Sequence, residues 1–343
     1  MRKYNSELNV YDAAINRIRY ILDEFESVYV SFSGGKDSGV MANLVAYVLR
    51  EFYPSRKVSL YHMDYEGQYQ HTTDYVTGFI ENNKDVFNVY WVCMPVKAQC
   101  SVSMYQDGWI PWNQEEKDIW CRDMPDDESV INEYNHTFDF FYHGMSDYEF
   151  NEKFHEWYRV NDNAEKSACL VGIRTQESLH RYRALFGKER MYKGLRYFSE
   201  GKNKKLWNCY PIYDWLVDDI WIANSKFNWS YNRLYDLFYQ SGMELNNMRV
   251  ASPFNDCAAS TLQLYKAIEP NTWGRLVGRV NGANFAAIYG NTKAFAFRSI
   301  SLPEGHTWKT YCEFLLSTLP ENIYEKNKKK FAKSHDYWLV GGG

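Results

Sequence analysis

Long apolar runs, paired cysteines and a surplus of one charge are all missing from this chain of 343 residues. No apolar run approaches the roughly 18 residues that a membrane-spanning helix needs, so we expect no membrane partner. The seven cysteines are scattered and form no Cys-x-x-Cys pair, which argues against a disulfide framework, a zinc ribbon or an iron–sulfur cluster. The net charge of −4 gives no general electrostatic reason to bind nucleic acid.

The remaining composition is that of a soluble globular protein, with 45% hydrophobic and 24% charged residues. The chain opens without the charged and then apolar segment of a secretory signal, so we expect a cytoplasmic location. Aromatic residues are abundant, with 12 Trp, 29 Tyr and 20 Phe. This abundance predicts a Tyr-rich core, and an interaction surface is the alternative.

The most informative segment is 31–38, Ser-Phe-Ser-Gly-Gly-Lys-Asp-Ser, which joins an apolar strand at 28–30 to an apolar helix. A glycine loop between a strand and a helix N-terminus presents backbone N–H groups and the positive end of the helix dipole to an anion. Gly34 and Gly35 allow a phosphate to approach the backbone closely, and Lys36 and the loop serines add donors. The spacing is neither that of a Walker A loop nor G-x-G-x-x-G. The segment therefore predicts a phosphate site of another kind.

Apolar strands alternate with helical segments in the first two thirds of the chain, which predicts an α/β fold. The predicted strands are 28–30, 57–63, 86–93, 167–172 and 206–211, and the first predicted helices are 8–25, 40–49 and 72–83. This order predicts a parallel sheet with helices on both faces, whose ligands bind at the carboxyl ends of the strands. The glycine loop and Asp64 both follow such ends.

Two regions depart from this alternation. Residues 95–165 are rich in Trp, Asp, Glu and Asn and are interpreted as an insertion. From about residue 217 the pattern is helical. We therefore predict a first domain at 1–225, with an insertion at about 95–165, and a helical C-terminal region at 226–340.

A second cluster of chemical residues follows the strand at 167–172, where Gly172, Arg174 and Glu177 occur together. The planar guanidinium of Arg174 suits a bidentate grip on a phosphate. The alternative is a plain surface ion pair between Arg174 and Glu177. Because Arg174 follows a strand end, we expect it to project from the sheet edge and to contribute little to the core. A third segment contains Asp214, which reads locally as a helix cap.

Taken together, the three segments resemble the PP-loop ATP pyrophosphatase superfamily, and within it the branch of phosphoadenosine-phosphosulfate (PAPS) reductase and the sulfate adenylyltransferase small subunit. The matches are Ser-Gly-Gly-Lys-Asp-Ser at 33–38, Gly-x-Arg-x-x-Glu-Ser at 172–178 and Pro-Ile-x-Asp-Trp-x-x-x-Asp-Ile-Trp at 211–221. The resemblance covers about residues 10–225. It implies an adenine nucleotide alpha hydrolase-like fold that binds ATP or a PAPS-like adenine nucleotide.

The resemblance also implies roles for individual residues. Lys36, Asp37 and Arg174 would be catalytic, and Asp37 would hold Mg²⁺. Nucleotide binding would fall to a larger set of loop and strand-end residues: Ser31, Ser33, Gly34, Gly35, Lys36, Asp37, Ser38, Asp64, Gly172, Arg174 and Glu177. The Glu-Cys-Gly-[Ile/Leu]-His segment that carries the catalytic thiol of PAPS reductases is absent, so we expect no reductase activity.

Three functions remain open at this point. The first is an enzyme that cleaves ATP between the α and β phosphates and adenylates an acceptor. The second is a nucleotide-gated regulator, which the missing reductase cysteine favours. The long insertion and residues 248–254 also resemble a PAPS-reductase-related bacterial and phage family, some of whose members are called coactivators and lie beside a ParB-like partner. The third, not favoured, is nucleic-acid modification through the basic segment 187–205, which otherwise forms a phosphate-facing lid or a solvated loop.

Overall fold

The computed structural model describes residues 8–103, 106–186, 191–255, 262–289 and 301–340. The glycine tail at 341–343 and the start of the basic segment, at 187–190, lie outside these ranges. The strands are β1 (Ser27–Ser31), β2 (Val58–Met63), β3 (Phe87–Cys93), β4 (Ala98–Gln99), β5 (Gly108–Trp109), β6 (Val130–Asn132), β7 (Ser167–Val171), β8 (Phe198–Glu200) and β9 (Leu206–Cys209). The helices are α1 (Val10–Glu24), α2 (Lys36–Phe52), α3 (Gln70–Glu81), α4 (Asp147–Asn161), α5 (Leu179–Phe186), α6 (Val217–Lys226), α7 (Leu234–Gln240), α8 (Leu264–Ile268), α9 (Pro270–Arg279), α10 (Ala283–Tyr289), α11 (Trp308–Ser317) and α12 (Glu321–Val340).

Seven of the described strands form one sheet in the order β6-β3-β2-β1-β7-β9-β8. All its pairs are parallel except that of β8 with β9. Strands β1 and β7 are neighbours at the centre, so their carboxyl ends lie side by side. The predicted α/β fold with a mostly parallel sheet is confirmed. The segments 33–38 and 172–178, which follow β1 and β7, therefore meet at the centre of the sheet.

Alternate residues of the central strands pack into different cores, because successive side chains of a strand point to opposite faces. Val28 and Val30 of β1 belong to a core shared with helices α1, α2, α3 and α6. Tyr29 belongs to a second core, which includes Phe154 and Tyr158 of α4. Burial on both faces explains why these strands read as continuous apolar runs in the sequence.

The predicted insertion at 95–165 contributes to both the sheet and its second face. Its short strand β6 pairs with β3 at the sheet edge, and its helix α4 covers part of the second face. The hydroxyl group of Tyr158 on α4 donates to the carbonyl of Val28 at 3.0 Å and lies within hydrogen-bond distance, 2.9 Å, of the hydroxyl of Ser59. The insertion is therefore part of the layered structure rather than an appendage.

The chain divides into two compact units, residues 1–283 and 284–343. Within the second unit, helices α11 and α12 pack against each other. The predicted boundary near residue 225 between a first domain and a C-terminal region stays a prediction. Within the described residues, no helix combines the length and the apolar character that crossing a membrane requires.

Candidate functional site

The glycine loop between β1 and α2 has a backbone shape that only glycine accommodates at Gly34. Its φ is +70°, in the left-handed region, and a Cβ there would lie 2.9 Å from the methyl groups of Thr72 and Val76 on α3. The side chain of Asn232 donates to the carbonyl of Gly34 at 3.1 Å and to the hydroxyl of Thr72 at 2.9 Å. The loop is therefore clamped against α3.

Two serine hydroxyls brace the loop from within. The hydroxyls of Ser33 and Ser38 lie 2.9 Å apart, and the backbone N–H of Ser33 donates to the hydroxyl of Ser38 at 3.2 Å. The hydroxyl of Ser38 also donates to the carbonyl of Gly35 at 3.1 Å. Gly35 caps α2 without a side-chain bond, so among the described residues no N-cap side chain competes with an anion for the N–H groups that follow Lys36 in the first turn.

Lys36 is almost fully buried, and its ammonium group already has two partners. It donates to the carbonyl of Met248 at 2.9 Å and lies 3.1 Å from a carboxylate oxygen of Asp37. Burial lowers the pKa of Lys36, and the adjacent Asp37 opposes that shift. The backbone N–H of Lys36 donates to the hydroxyl of Tyr235 at 3.0 Å. Both groups of Lys36 thus connect the loop to residues more than 190 positions later.

Arg174 does not project freely from the sheet edge, contrary to the expectation from its position after a strand. Its side chain is only 3% exposed, and its Nε lies 2.5 Å from Asp37 Oδ1. Its Nη1 donates to the Gln176 side-chain oxygen at 3.0 Å. The simple surface pair with Glu177 is not found either, since Glu177 pairs with Arg181. Arg174 therefore joins the second motif to the first.

Gly172 makes the closest approach between these two motifs. A Cβ at this position would lie 2.9 Å from the backbone carbonyl of Asp37 and from the backbone nitrogen of Ser38. The end of β7 therefore packs directly on the first turn of α2, with no room for a side chain. This contact fixes the distance between the glycine loop and the strand that carries the second motif.

A cavity of about 280 Å³ opens at the start of α2. The predicted residues that line it are Ser31, Ser33, Gly35, Lys36, Asp37, Ser38, Gly172 and Glu177. Gly34, Asp64 and Arg174 are not among its lining residues. The structure therefore brings most of the predicted set together around one small cavity.

A larger cavity of about 620 Å³ continues from the same edge along the second face of the sheet. The two cavities share Ser31, Ser33 and Val171 among their lining residues, so they lie next to each other. Aromatic and polar side chains line the larger one, among them Tyr29, Tyr61, Tyr65, Asn151 and His155. Its size and its mixed lining suit a small organic molecule.

Asp64 lies at the carboxyl end of β2, but its carboxylate is fully buried and does not line either cavity. Both of its oxygens lie 2.5 Å from Nη2 of Arg122, and the indole of Trp91 donates to one of them at 2.9 Å. Burial alone would raise the pKa of Asp64, but Arg122 and His62 outweigh it and lower that pKa. In this structure Asp64 stabilises the chain that follows β2.

Several lining residues come from beyond the predicted first domain and were missed. Tyr235, Arg249, Val250 and Ala251 form one wall of the smaller cavity. Tyr235 lies on a seven-residue helix and the others in an irregular segment. Neither has the periodicity or the glycine pattern that marks a phosphate loop. Residues 248–254 carry a family resemblance in the sequence, but nothing in their pattern assigns them to the phosphate site.

No group of three or more His, Cys, Asp or Glu side chains within the described residues is arranged to hold a metal. Each carboxylate oxygen of Asp37 is already paired with a cation, Arg174 or Lys36. This arrangement does not fit a metal ion held by Asp37. Mg²⁺ at Asp37 stays an untested prediction, which these two ion pairs do not favour.

Two models of known protein families match successive parts of the chain. Residues 27–242 match the phosphoadenosine phosphosulfate reductase domain, and residues 242–343 match a domain of unknown function, DUF3440. A relative, the uncharacterized protein YbdN of Escherichia coli (strain K12), is 35% identical over 331 residues. That alignment covers 95% of this chain and 79% of the relative.

Similar solved structures include a PAPS reductase from Candida auris in complex with phosphate. It is 15% identical, with a TM-score of 0.41, and the match covers 72% of this chain and 89% of that one. Another is the FMN adenylyltransferase of Candida glabrata in complex with FAD and inorganic pyrophosphate. It is also 15% identical, with a TM-score of 0.38, covering 68% of this chain and 64% of that one.

Proposed function

Because the chain belongs to the phosphoadenosine phosphosulfate reductase domain family, we propose that it binds an adenine nucleotide and cleaves ATP between the α and β phosphates. One observation carries this proposal. The first turn of α2 and the braced glycine loop face a small cavity with charged and hydroxyl-bearing side chains in its lining, and a larger cavity lies next to it. The small cavity suits a phosphate chain, and the larger one suits a nucleoside.

In this proposal the phosphate chain lies at the N-terminus of α2. Backbone N–H groups of the glycine loop donate to phosphate oxygens, and the hydroxyls of Ser33 and Ser38 exchange the bonds that they make within the loop for bonds to those oxygens. The nucleoside enters the larger cavity past Ser31 and Val171, which line both spaces. The α-phosphate then lies near the junction of the two cavities, where an acceptor can reach it.

The chemistry is the transfer of an adenylyl group. A nucleophilic atom of the acceptor forms a bond to the α-phosphorus, and the bond from that phosphorus to the bridging oxygen breaks. The electron pair leaves with pyrophosphate, whose charge is stabilised by the helix N-terminus and the surrounding cations. Arg174 acts here as a positioning residue: it is buried beside the cavity and holds Asp37 and the first turn of α2 in place.

A magnesium ion is expected to accompany a bound triphosphate, because it neutralises phosphate oxygens. The chain's own contribution is the set of donors described above, and no step of this proposal depends on a metal held by Asp37.

Thiol chemistry is not part of this proposal. The cysteine that lines the larger cavity is Cys169, and burial raises its pKa to about 12. At neutral pH it is therefore a protonated thiol rather than a nucleophile. Together with the missing Glu-Cys-Gly-[Ile/Leu]-His segment, this favours adenylyl transfer over a reductase reaction.

The test measures binding and turnover separately. Calorimetric titration with a non-hydrolysable ATP analogue should show binding, and ATP with Mg²⁺ should release pyrophosphate in the presence of a suitable acceptor. We expect the double change Lys36→Ala and Asp37→Ala to weaken analogue binding at least ~10-fold, because it removes charge-assisted contacts at the helix start.

The matched control is the double change Glu149→Ala and Lys153→Ala. It also removes one ion pair from the first turns of a helix, but on the exposed side of α4. This control should bind the analogue as the unchanged protein does. Unchanged affinity in a folded Lys36/Asp37 variant, or no nucleotide binding by the unchanged protein, would show that the loop is not a nucleotide site.

A second candidate, a nucleotide-gated binding protein, is favoured by the bonds from Lys36 to Tyr235 and Met248. Because these bonds tie the loop to a later segment, a nucleotide that moves the loop also moves that segment. Tight nucleotide binding without any pyrophosphate release would favour this candidate. A ParB-like partner, implied by the resemblance, stays a prediction.

A further inference from the structure

The smaller cavity has a wall that the matched reductase domain does not supply. Residues 249–251 line it, and they lie in the part of the chain that matches the domain of unknown function. The residue before them, Met248, is buried, and its backbone carbonyl accepts a hydrogen bond from the ammonium group of Lys36. This bond anchors the segment. A Cβ placed on Gly35 would lie 3.9 Å from Cβ of Val250. The segment therefore lies directly against the glycine loop.

The cationic side chains around this cavity differ in whether a carboxylate is paired with them. Three cationic side chains line it, those of Lys36, Arg181 and Arg249, together with the carboxylates of Asp37 and Glu177. Lys36 is buried and engaged with Asp37 and a carbonyl. Arg181 forms an ion pair with Glu177. Two of the three cations are thus already balanced by a carboxylate.

Arg249 differs from the other two cations. Its Nη2 donates to the backbone carbonyl of Glu177 at 3.0 Å, and its side chain has no carboxylate partner within 4 Å among the residues that the structure describes. A guanidinium carries five N–H donors, so most of those of Arg249 remain for a ligand. It is half-buried, where a charge is less screened than at a fully exposed site.

The position of Arg249 along the site indicates which part of a ligand it meets. It lines the smaller cavity but not the larger one, where the nucleoside is proposed to bind. The nucleoside and the α-phosphate enter from the junction at Ser31 and Val171. Arg249 lies beside the glycine loop, where the pyrophosphate portion is proposed to bind, so it meets the far end of the phosphate chain.

We infer that Arg249 is a specificity-determining residue that binds the terminal phosphates of the nucleotide, so that the C-terminal region selects a triphosphate over a monophosphate. This inference rests on the proposed function, and it adds Arg249 to the binding site and a preference for a nucleoside triphosphate. A planar fork that a carbonyl orients from one side can grip two phosphate oxygens at once. The site is then a composite of both matched regions.

The test compares the affinities of AMP, ADP and a non-hydrolysable ATP analogue for the full chain by calorimetric titration. We expect Arg249→Gln to weaken analogue binding by about 10- to 100-fold, the scale of losing charge-assisted hydrogen bonds. AMP affinity should be unchanged, because AMP has no terminal phosphates. Arg249→Lys should recover part of the analogue affinity, since it keeps the charge but loses the fork.

The control is Arg275→Gln, which removes the same charge from an exposed position of α9 in the same region. It should bind all three nucleotides as the unchanged protein does. Melting temperatures within a few degrees of the unchanged protein would show that each variant is folded, and Arg249→Lys serves for the comparison if Arg249→Gln does not fold.

The other possible results would contradict either the role of Arg249 alone or the proposed function as well. Equal losses for AMP and for the analogue would place Arg249 at the α-phosphate or in a structural role, and would overturn the inference alone. An unchanged preference for the analogue in Arg249→Gln would do the same. If the unchanged protein binds none of the three nucleotides, the proposed function fails and this inference fails with it.

Discussion

At the scale of single residues, His155 on α4 shows how a buried side chain makes stability depend on pH. The residue is 5% exposed, and its Nε2 has no hydrogen-bond partner within the described residues. Burial lowers its pKa from 6.5 to about 4, while a hydrogen bond to the backbone at Ser167 opposes that shift. The folded protein therefore keeps this imidazole neutral at pH values where the unfolded chain protonates it.

The sign of the effect follows from which state binds the proton. As the pH falls below about 6.5 the unfolded chain takes up a proton at His155 and the folded protein does not, so the free energy of unfolding decreases. The loss is about 1.4 kcal/mol per pH unit, or about 2 kcal/mol at pH 5. Denaturant unfolding at pH 7 and pH 5 should show that His155→Asn loses about this much less than the unchanged protein.

The exposed residue His143 provides the comparison for this prediction, since its imidazole is paired with Glu133 at the surface. His143→Asn should not flatten the decrease of stability between pH 7 and pH 5. A His155→Asn protein that keeps the full decrease would show that His155 is not the titrating group.

At the scale of elements, the contact between β7 and α2 sets the geometry of the candidate site. Gly172 ends the strand where the backbone of Asp37 and Ser38 leaves no space for a Cβ. We expect Gly172→Ala to push the strand and helix apart and to lower the free energy of unfolding by about 1–3 kcal/mol. The affinity for a non-hydrolysable ATP analogue should fall as well, because the first turn of α2 moves.

Gly78 on α3 is the matched control, since a Cβ there meets nothing within 4 Å. Gly78→Ala should raise the free energy of unfolding by about 0.5–1 kcal/mol, because alanine loses less backbone entropy in a helix. Unfolding by denaturant, with titration of the analogue, measures both effects. A Gly172→Ala protein as stable and as tight-binding as the unchanged one would contradict the close packing of β7 on α2.

The same elements show how much of the fold follows from the sequence. The central strands were predicted because both of their faces are buried, which makes them continuous apolar runs. The strand β6 was not, because three residues, Val130-Ile131-Asn132, are too few to show a period. The glycine loop was predicted because its residue types fit one backbone geometry and one ligand chemistry.

The parts of the site that were not predicted are those that tertiary packing decides. Asp64 has the sequence position of a ligand residue, yet Arg122 from the insertion takes both of its oxygens. Tyr235 and Met248 reach the loop through contacts across about 200 residues, and local patterns carry no information on such contacts. The burial of Arg174 depends on Asp37 and Gln176, and a strand-end position alone does not reveal it.

At the scale of the whole molecule, long-range ionic contacts hold α9 to the first part of the chain. Glu66 is fully buried after β2, and Arg279 at the end of α9 lies 2.9 Å from one of its carboxylate oxygens. Arg279 also donates to the carbonyl of Ile110 at 2.6 Å. Leaving a buried carboxylate without its partner costs about 3–5 kcal/mol.

Two fragments test where the folded unit ends. The fragment 1–283, which is a compact unit, should unfold cooperatively and bind the ATP analogue. The fragment 1–225 should melt at a much lower temperature and bind the analogue weakly, since it lacks Arg279, Tyr235 and Met248. Circular dichroism melting and calorimetric titration measure these properties. A fragment 1–225 with the stability and affinity of 1–283 would show that the later contacts are dispensable.

The two bonds of Lys36 also have a consequence for how the protein is made. They join residues 199 and 212 positions apart, so the loop closes its contacts only after most of the chain exists. Ribosomes add about 5–20 residues per second, which leaves an interval of about 10–40 s between the synthesis of Lys36 and that of Met248. Throughout that interval the nascent chain carries a glycine loop whose later wall has not yet been synthesised. The complete site is thus a late product of biosynthesis.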